Sequence, residues 1–232
     1  MRSIKFIPAM VLSVSLLTLA GNACAGISVG GTRLIYPGDQ KEVPLNVKSS
    51  ADSGVYLIRS WAENNDKANK SQPPFVITPP LFRIDPGQEN VLRLSQTNTS
   101  GLPKDRETLY WLNVMAIPPA ADKSKSGLQF SLNTKIKLIY RPASLNDKGS
   151  VNEAYKKLGF SHKGNGVEIK NPTPYYISVF KLRINGVDVK DKNITVPPLG
   201  TTSVATSVAG NNITWSAIND NGGITGEASA TF

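Results

Sequence analysis

Two cations stand in stretches where a charge should cost energy. In "GISVGGTRLIYPG" the alternate residues Ile27, Val29, Gly31, Arg33 and Ile35 form a row that is apolar except at Arg33. If that row faces a core, the guanidinium must be paired or lie at the rim, because an unpaired buried charge is expensive. Snorkelling at the rim, a local carboxylate and a bound anion all satisfy that demand. In "LQFSLNTKIKLIYRP" Lys137 belongs to the row Gln129, Ser131, Asn133, Lys135, Lys137, Ile139, Arg141. Ile139 shares that row and Tyr140 follows, so this end of the stretch reads as covered on both faces. Lys137 is there either a solvated lysine or a charge held for a ligand carboxylate.

Catalytic chemistry fails on inventory. The chain has one histidine, His162 in the turn-like "FSHKGNG", and one cysteine, Cys24. A Ser-His-Asp arrangement would want a nucleophile elbow of the G-x-S-x-G kind, and none accompanies His162. His, Cys and carboxylates do not cluster at metal-ligand spacing, and no glycine-rich loop is built to cradle phosphate. The expectation is a protein that is not an enzyme, with no cofactor and no metal, in which His162 is a surface turn residue.

The element that must carry Lys137 is unusual. The second row of its stretch is Leu128, Phe130, Leu132, Thr134, Ile136, Leu138, Tyr140, so a period of two holds for thirteen residues. That period predicts a β-strand. At about 3.3 Å per residue it would span roughly 40 Å, against a common strand of about 5–6 residues. Either the whole strand is covered by its own core, or the Leu128–Phe130–Leu132 end projects past it. Each such side chain left in water forgoes about 1.5–3 kcal/mol of burial, and an exposed apolar edge invites aggregation. A projecting end would therefore serve to pair with another chain.

Residues 1–25 read as an export signal. Arg2 and Lys5 precede the apolar run from Phe6 to Ala20, and "ACA" (Ala23, Cys24, Ala25) has the form of a cleavage site. Gly21 stands where a lipoprotein signal needs leucine, and the run is too short to span a membrane. Cleavage after Ala25 would take 25 of the 232 residues, leaving 207, remove the only cysteine, and lower the formal charge from +9 to +7 by the loss of Arg2 and Lys5. Such a chain is exported, makes no membrane insertion, and rests on its cores with no disulfide. Its dispersed basic residues argue against nucleic acid as a partner and for modest steering of acidic ones.

The remainder reads as strands and turns, with Gly, Pro, Asn and Asp bounding runs of branched and aromatic residues. Polar "RPASLNDKGSVNEAYKKLGFSHKGNG" interrupts them, carries the best helical candidate (Val151 to Leu158) and marks a connection between domains. The expected organisation is 1–25 signal peptide, 26–147 first domain and 148–232 second domain, all-β throughout.

Six stretches in order, "TRLIYPG", "VITPPLFRIDPGQ", "LPKDRETLYWLNV", "TKIKLIYRP", "NPTPYYISV" and "INDNGG", make the chain resemble the periplasmic chaperones of chaperone–usher pilus assembly. The resemblance implies two immunoglobulin-like β-sandwich domains set at an angle with a cleft between them. It implies that Leu128, Phe130 and Leu132 are donor-strand residues that fill the groove of a pilus subunit, a known case of β-strand addition. It places the binding of the subunit's C-terminal carboxylate on Arg33 and Lys137, and an interdomain salt-bridge network on Glu107, Arg141 and Asp220. Pro79 matches the position of a cis proline in the family. The implied partners are pilus subunits and an outer-membrane usher, in the periplasm, and self-association of two copies is one way to shield the strand. The ten residues "PPAADKSKSG" between Ile117 and Leu128 resemble the short-loop subgroup. Phe130 stands where many members carry an aliphatic residue. The rival expectation is a secreted two-domain binding module or adhesin with no chaperone role, which shares the fold but leaves the strand's length unexplained.

Overall fold

The computed structural model describes residues 26–98, 100–120, 128–191 and 194–231. The expected export signal, with its cleavage after Ala25, lies outside the described residues.

The first half builds nine strands: β1 (Ile27–Val29), β2 (Arg33–Pro37), β3 (Glu42–Ser49), β4 (Tyr56–Asn64), β5 (Phe75–Thr78), β6 (Leu81–Ile84), β7 (Glu89–Gln96), β8 (Thr108–Ile117) and β9 (Leu132–Arg141). They form two sheets, ordered β1-β3-β7-β5 and β2-β9-β8-β4-β6. Alternate residues of each strand point inward, as a pleated chain requires. Leu45, Val47, Leu92 and Leu94 of one sheet meet Tyr36, Ile58, Leu112 and Leu138 of the other in one core. Pro79 joins the two sheets through a cis bond to Thr78.

The connection holds a short helix, α1 (Lys148–Glu153), whose first turn is capped by Asp147 Oδ1 accepting from the Ser150 amide at 2.8 Å. Helix was expected over Val151 to Leu158. It starts earlier because Asp147 supplies the cap, and Ala154–Lys157 tightens into a 3₁₀ turn.

The second half builds β10 (Gly159–His162), β11 (Gly166–Lys170), β12 (Ile177–Ile184), β13 (Val187–Asp188), β14 (Thr195–Val196), β15 (Thr201–Ala205), β16 (Asn212–Ile218) and β17 (Ala228–Thr231). Sheet β10-β11-β15 faces sheet β13-β12-β16-β17, with β14 added to β12. Ile169, Ile184, Ile213 and Trp215 are fully buried in this second core. The Trp215 indole N–H donates to the Tyr155 carbonyl at 2.9 Å, which satisfies its polar edge. The chain is thus two immunoglobulin-like sandwiches.

Two sequence expectations need correction. "GISVGGTRLIYPG" is two strands in different sheets: β1 pairs with β3, the chain crosses over at Gly30 and Gly31, and β2 pairs with β9. The row containing Ile27, Val29 and Arg33 therefore does not exist as one face. In β2 it is Leu34 and Tyr36 that enter the core, and Arg33 points to the opposite face. The strand expected from Leu128 to Tyr140 begins at Leu132, whose partner on β8 is Ala116, near the end of that strand at Ile117. A strand needs a hydrogen-bonding neighbour, and Leu128–Ser131 have run past theirs.

Candidate functional site

β2 and β9 run parallel with Arg33 opposite Lys137. Residues directly opposite share a face, so both cations leave the first sandwich on its outer side, toward the second. The space between the sandwiches is a cleft of about 640 Å³ lined by Arg33 and Lys137 together with Trp111, Tyr176, Ser178 and Thr195.

The second sandwich holds both side chains. Lys137 Nζ donates to Ser178 Oγ at 2.7 Å and to Thr195 Oγ1 at 2.6 Å. Arg33 Nη1 donates to the Ile218 carbonyl at 3.0 Å, while its Nε is buried without a partner among the described residues. All these acceptors are neutral. Burial, and then the charge of Arg33, push the Lys137 ammonium down to about 8. Burial likewise pulls Arg33 down, opposed by the more distant charges of Asp220 and Glu107. Two cations are crowded in a half-buried cleft with hydroxyl and carbonyl acceptors only, an arrangement with the chemistry to accept an anion. A carboxylate suits it, since a planar guanidinium and an ammonium can share its two oxygens.

The third cation is answered differently. Arg141 Nε donates to Glu107 Oε1 at 2.6 Å, and its Nη1 and Nη2 donate to Asp220 Oδ2 at 2.6 Å and Oδ1 at 2.9 Å. Glu107 Oε2 also accepts from the Tyr176 amide at 2.6 Å. Burial pushes Glu107 up, and Arg141 and the Tyr176 amide pull against it. Arg141 and Glu107 come from the first sandwich, Asp220 and Tyr176 from the second, so the network ties the two together.

The other end of β9 is open. Leu128, Phe130 and Leu132 are 89%, 77% and 63% exposed, whereas Leu138 in the same row is 0% exposed. On one side β9 pairs with β8 along its length, but β2 covers the other side only from Lys137 to Arg141. From Leu132 to Ile136 that edge has no strand beside it among the described residues.

Sequence reasoning found Arg33 and Lys137 but not the groups that aim them. Ser178 and Thr195 are ordinary strand residues by type, and only the packing of one sandwich on the other brings them to Lys137. Trp111 and Lys135, on the same wall, were also missed; Lys135 Nζ lies 5.3 Å from the Trp111 ring centroid and donates to Glu63 Oε2 at 2.6 Å. The alternation of Lys135 with Ile136 across β9, opposite Trp111's strand, was the signal available. His162 is exposed at the end of β10, its Nε2 3.4 Å from Asn211 Oδ1, and is not among the residues that line the cleft.

Comparison with known proteins gives one answer over both halves. The family model for the N-terminal domain of the pili and flagellar-assembly chaperone PapD matches residues 26–146, and that for the PapD C-terminal domain matches 153–229. The chain is 42% identical over 219 residues to chaperone protein FimC of Escherichia coli, covering 93% of this chain and 88% of that one. It is 36% identical over 207 residues to chaperone protein MrkB of Klebsiella pneumoniae, covering 84% and 87%. The solved periplasmic chaperone SfaE superposes with a TM-score of 0.75 at 39% identity, over 89% of this chain and all of that one (100%). A chain of the Salmonella enterica complex of SafA pilin with the SafB chaperone gives 0.81 at 28% identity, over 89% and 96%. No helix among the described residues is long and apolar enough to cross a membrane. With two sandwiches, a cleft between them lined by Arg33 and Lys137, and both family models matched in order, the chain belongs to the PapD family of pilus-assembly chaperones.

Proposed function

We propose that this chaperone caps pilus subunits in the periplasm by lending them the Leu128–Leu132 segment that leads into β9 while Arg33 and Lys137 hold the subunit's C-terminal carboxylate. The observation that carries the reading is the adjacency of two features: a pair of cations that form no ion pair with a carboxylate among the described residues, and a strand edge with no neighbour among the described residues that begins where they stand. A carboxylate at Lys137 fixes the end of the incoming strand. The strand then runs back along Ile136 to Leu132, parallel to β9 and in line with β2. Backbone pairing supplies generic recognition, and the exposed row Leu132, Phe130, Leu128 enters an apolar groove of the subunit. Burying those three side chains, at about 1.5–3 kcal/mol each, supplies much of the affinity with no ATP.

The Glu107–Arg141–Asp220 network is read as the lock on the interdomain arrangement, with the domain boundary near residue 147. Export by residues 1–25, release after Ala25, and delivery of the capped subunit to an outer-membrane usher complete the role. Nothing in this cycle calls on catalysis, a cofactor or a metal, and His162 has no part in it.

The test is a pull-down of tagged protein from its native periplasm, wild type beside Lys137→Ala, with the co-eluting chains identified by mass spectrometry. Wild type is expected to retain small β-rich subunits and the variant to lose at least nine-tenths of them, from the loss of a charge-assisted contact. Equal retention by both would move the anchor away from Lys137. Retention of no subunit by either would favour the secreted binding module.

A further inference from the structure

Both anchor cations belong to the first sandwich, yet neither is aimed by it. Lys137 ends on Ser178 and Thr195, and Arg33 on the Ile218 carbonyl, all of them in the second sandwich. Ile218 opens the turn Asn219–Gly223, which is closed on itself. The Asn219 amide donates to the Gly223 carbonyl at 2.8 Å, and Asn219 Oδ1 accepts from the amides of Asn221 and Gly223 at 3.1 and 2.9 Å. From this one turn three contacts reach the first sandwich: the Ile218 carbonyl to Arg33, Asp220 to Arg141, and Gly222 against Thr32.

The last contact leaves no room for a side chain. A Cβ on Gly222 would lie 2.7 Å from Thr32 Oγ1, closer than real Cβ contacts come, and Gly222 has φ +81°, which L side chains rarely adopt. Thr32 adjoins Arg33 in sequence and lines the same cleft. A methyl group at 222 must turn the Thr32 hydroxyl aside, and the positive φ strains any L side chain there, so the turn that carries the Ile218 carbonyl, the partner of Arg33, relaxes away from its present seat.

We infer that the second sandwich is the positioning device of the carboxylate anchor, and that Gly222 is the positioning residue that lets its turn dock close enough to aim Arg33. This rests on the reading of Arg33 and Lys137 as a carboxylate site. An anchor aimed in this way exists only while the two sandwiches are docked, so loosening the turn lowers carboxylate recognition without touching the donor row.

A synthetic peptide of alternating valine and threonine, ending either in a free carboxylate or in an amide, tests it by titration against the full exported chain. Wild type is expected to prefer the free acid by about tenfold or more, the worth of charge-assisted hydrogen bonds. Gly222→Ala is expected to bring that ratio below about threefold while binding of the amide stays within about twofold. Adding Thr32→Ala to Gly222→Ala removes the oxygen that the new methyl group meets but not the strain of φ +81°, and so restores part of the preference shown by Thr32→Ala alone. The same pair of variants decides the matter if the single one is too unstable to purify. A wild type that binds acid and amide alike removes the carboxylate site and this inference with it. A wild type that prefers the acid, with Gly222→Ala keeping the full preference, overturns the inference alone, as does a double variant no better than Gly222→Ala.

Discussion

The two ends of β9 carry the same alternation and meet opposite surroundings. Toward the cleft, Ile136, Leu138 and Tyr140 are sealed in the core on one face while Ile139 and Arg141 are buried on the other. Toward the far end, Leu128, Phe130 and Leu132 continue the apolar row into solvent. The difference shows that one strand can divide two tasks by length alone. Residues beyond Ile136 are built into this protein's core, and the apolar row before it stays in solvent. Lys137 stands at the border, half in each.

The sharpest way to break that division is to remove a charge from one end and an apolar group from the other. Arg141→Leu leaves Glu107 buried with only the Tyr176 amide and strands Asp220, and is expected to cost about 3–5 kcal/mol of stability. Leu132→Ser, in solvent, is expected to change stability by less than about 0.5 kcal/mol while weakening subunit capture. Chemical denaturation of the two variants beside wild type measures both. A Leu132→Ser loss as large as that of Arg141→Leu would mean the far end is core after all.

A smaller effect follows from the border residue. The Lys137 ammonium is depressed to about 8 in the free protein, so below that pH its burial is a cost to folding, relieved as pH rises from about 8 to 10.5. Ligand binding has the opposite sign. A bound carboxylate stabilises the charged form, so binding takes up a proton above about pH 8. Affinity for a free C-terminal carboxylate is therefore intact below about pH 8 and falls as pH rises through it, by at most about tenfold per unit. The amidated ligand should show no such slope, and calorimetry in buffers of different ionisation enthalpy reads the proton directly. A flat profile for the acid would show that Lys137 does not meet it.

The smallest effect concerns fit. Phe130→Ile shortens the bulkiest side chain of the proposed donor row, and in competition for one subunit the two proteins should differ by about three- to tenfold, on the scale of one or two buried methylenes. The direction reports whether the subunit's groove is cut for an aromatic ring. Equal competition would place Phe130 outside the groove.

Much of this was legible in the sequence because a strand writes its two faces in alternate letters. The core row of β9 and the doubly covered end around Ile139 follow from that period, which left open whether the Leu128–Leu132 end was covered or projecting. The face of Arg33 did not follow, because alternation is meaningless across a crossover, and Gly30–Gly31 moves the chain from one sheet to another without breaking the pattern. The exact start of β9 was hidden too, since a strand ends where its neighbour does and the neighbour is fixed by the fold. Ser178, Thr195 and the Ile218 carbonyl lay furthest from view. Their role is set by how one sandwich rests on the other, which no local pattern records.

The parallel strand β2 has a last consequence. It occupies the edge of β9 from Lys137 onward, so the berth beside β9 is closed at one end by a wall of this protein's own backbone. A visiting strand that continued past the two cations would collide with β2. On the reading proposed above, a visiting strand that runs straight along β9 must stop at the cations, which makes the berth a gauge of completeness. A subunit still being threaded through the inner membrane presents no such stop, so on this reading capture waits for the final residue to arrive.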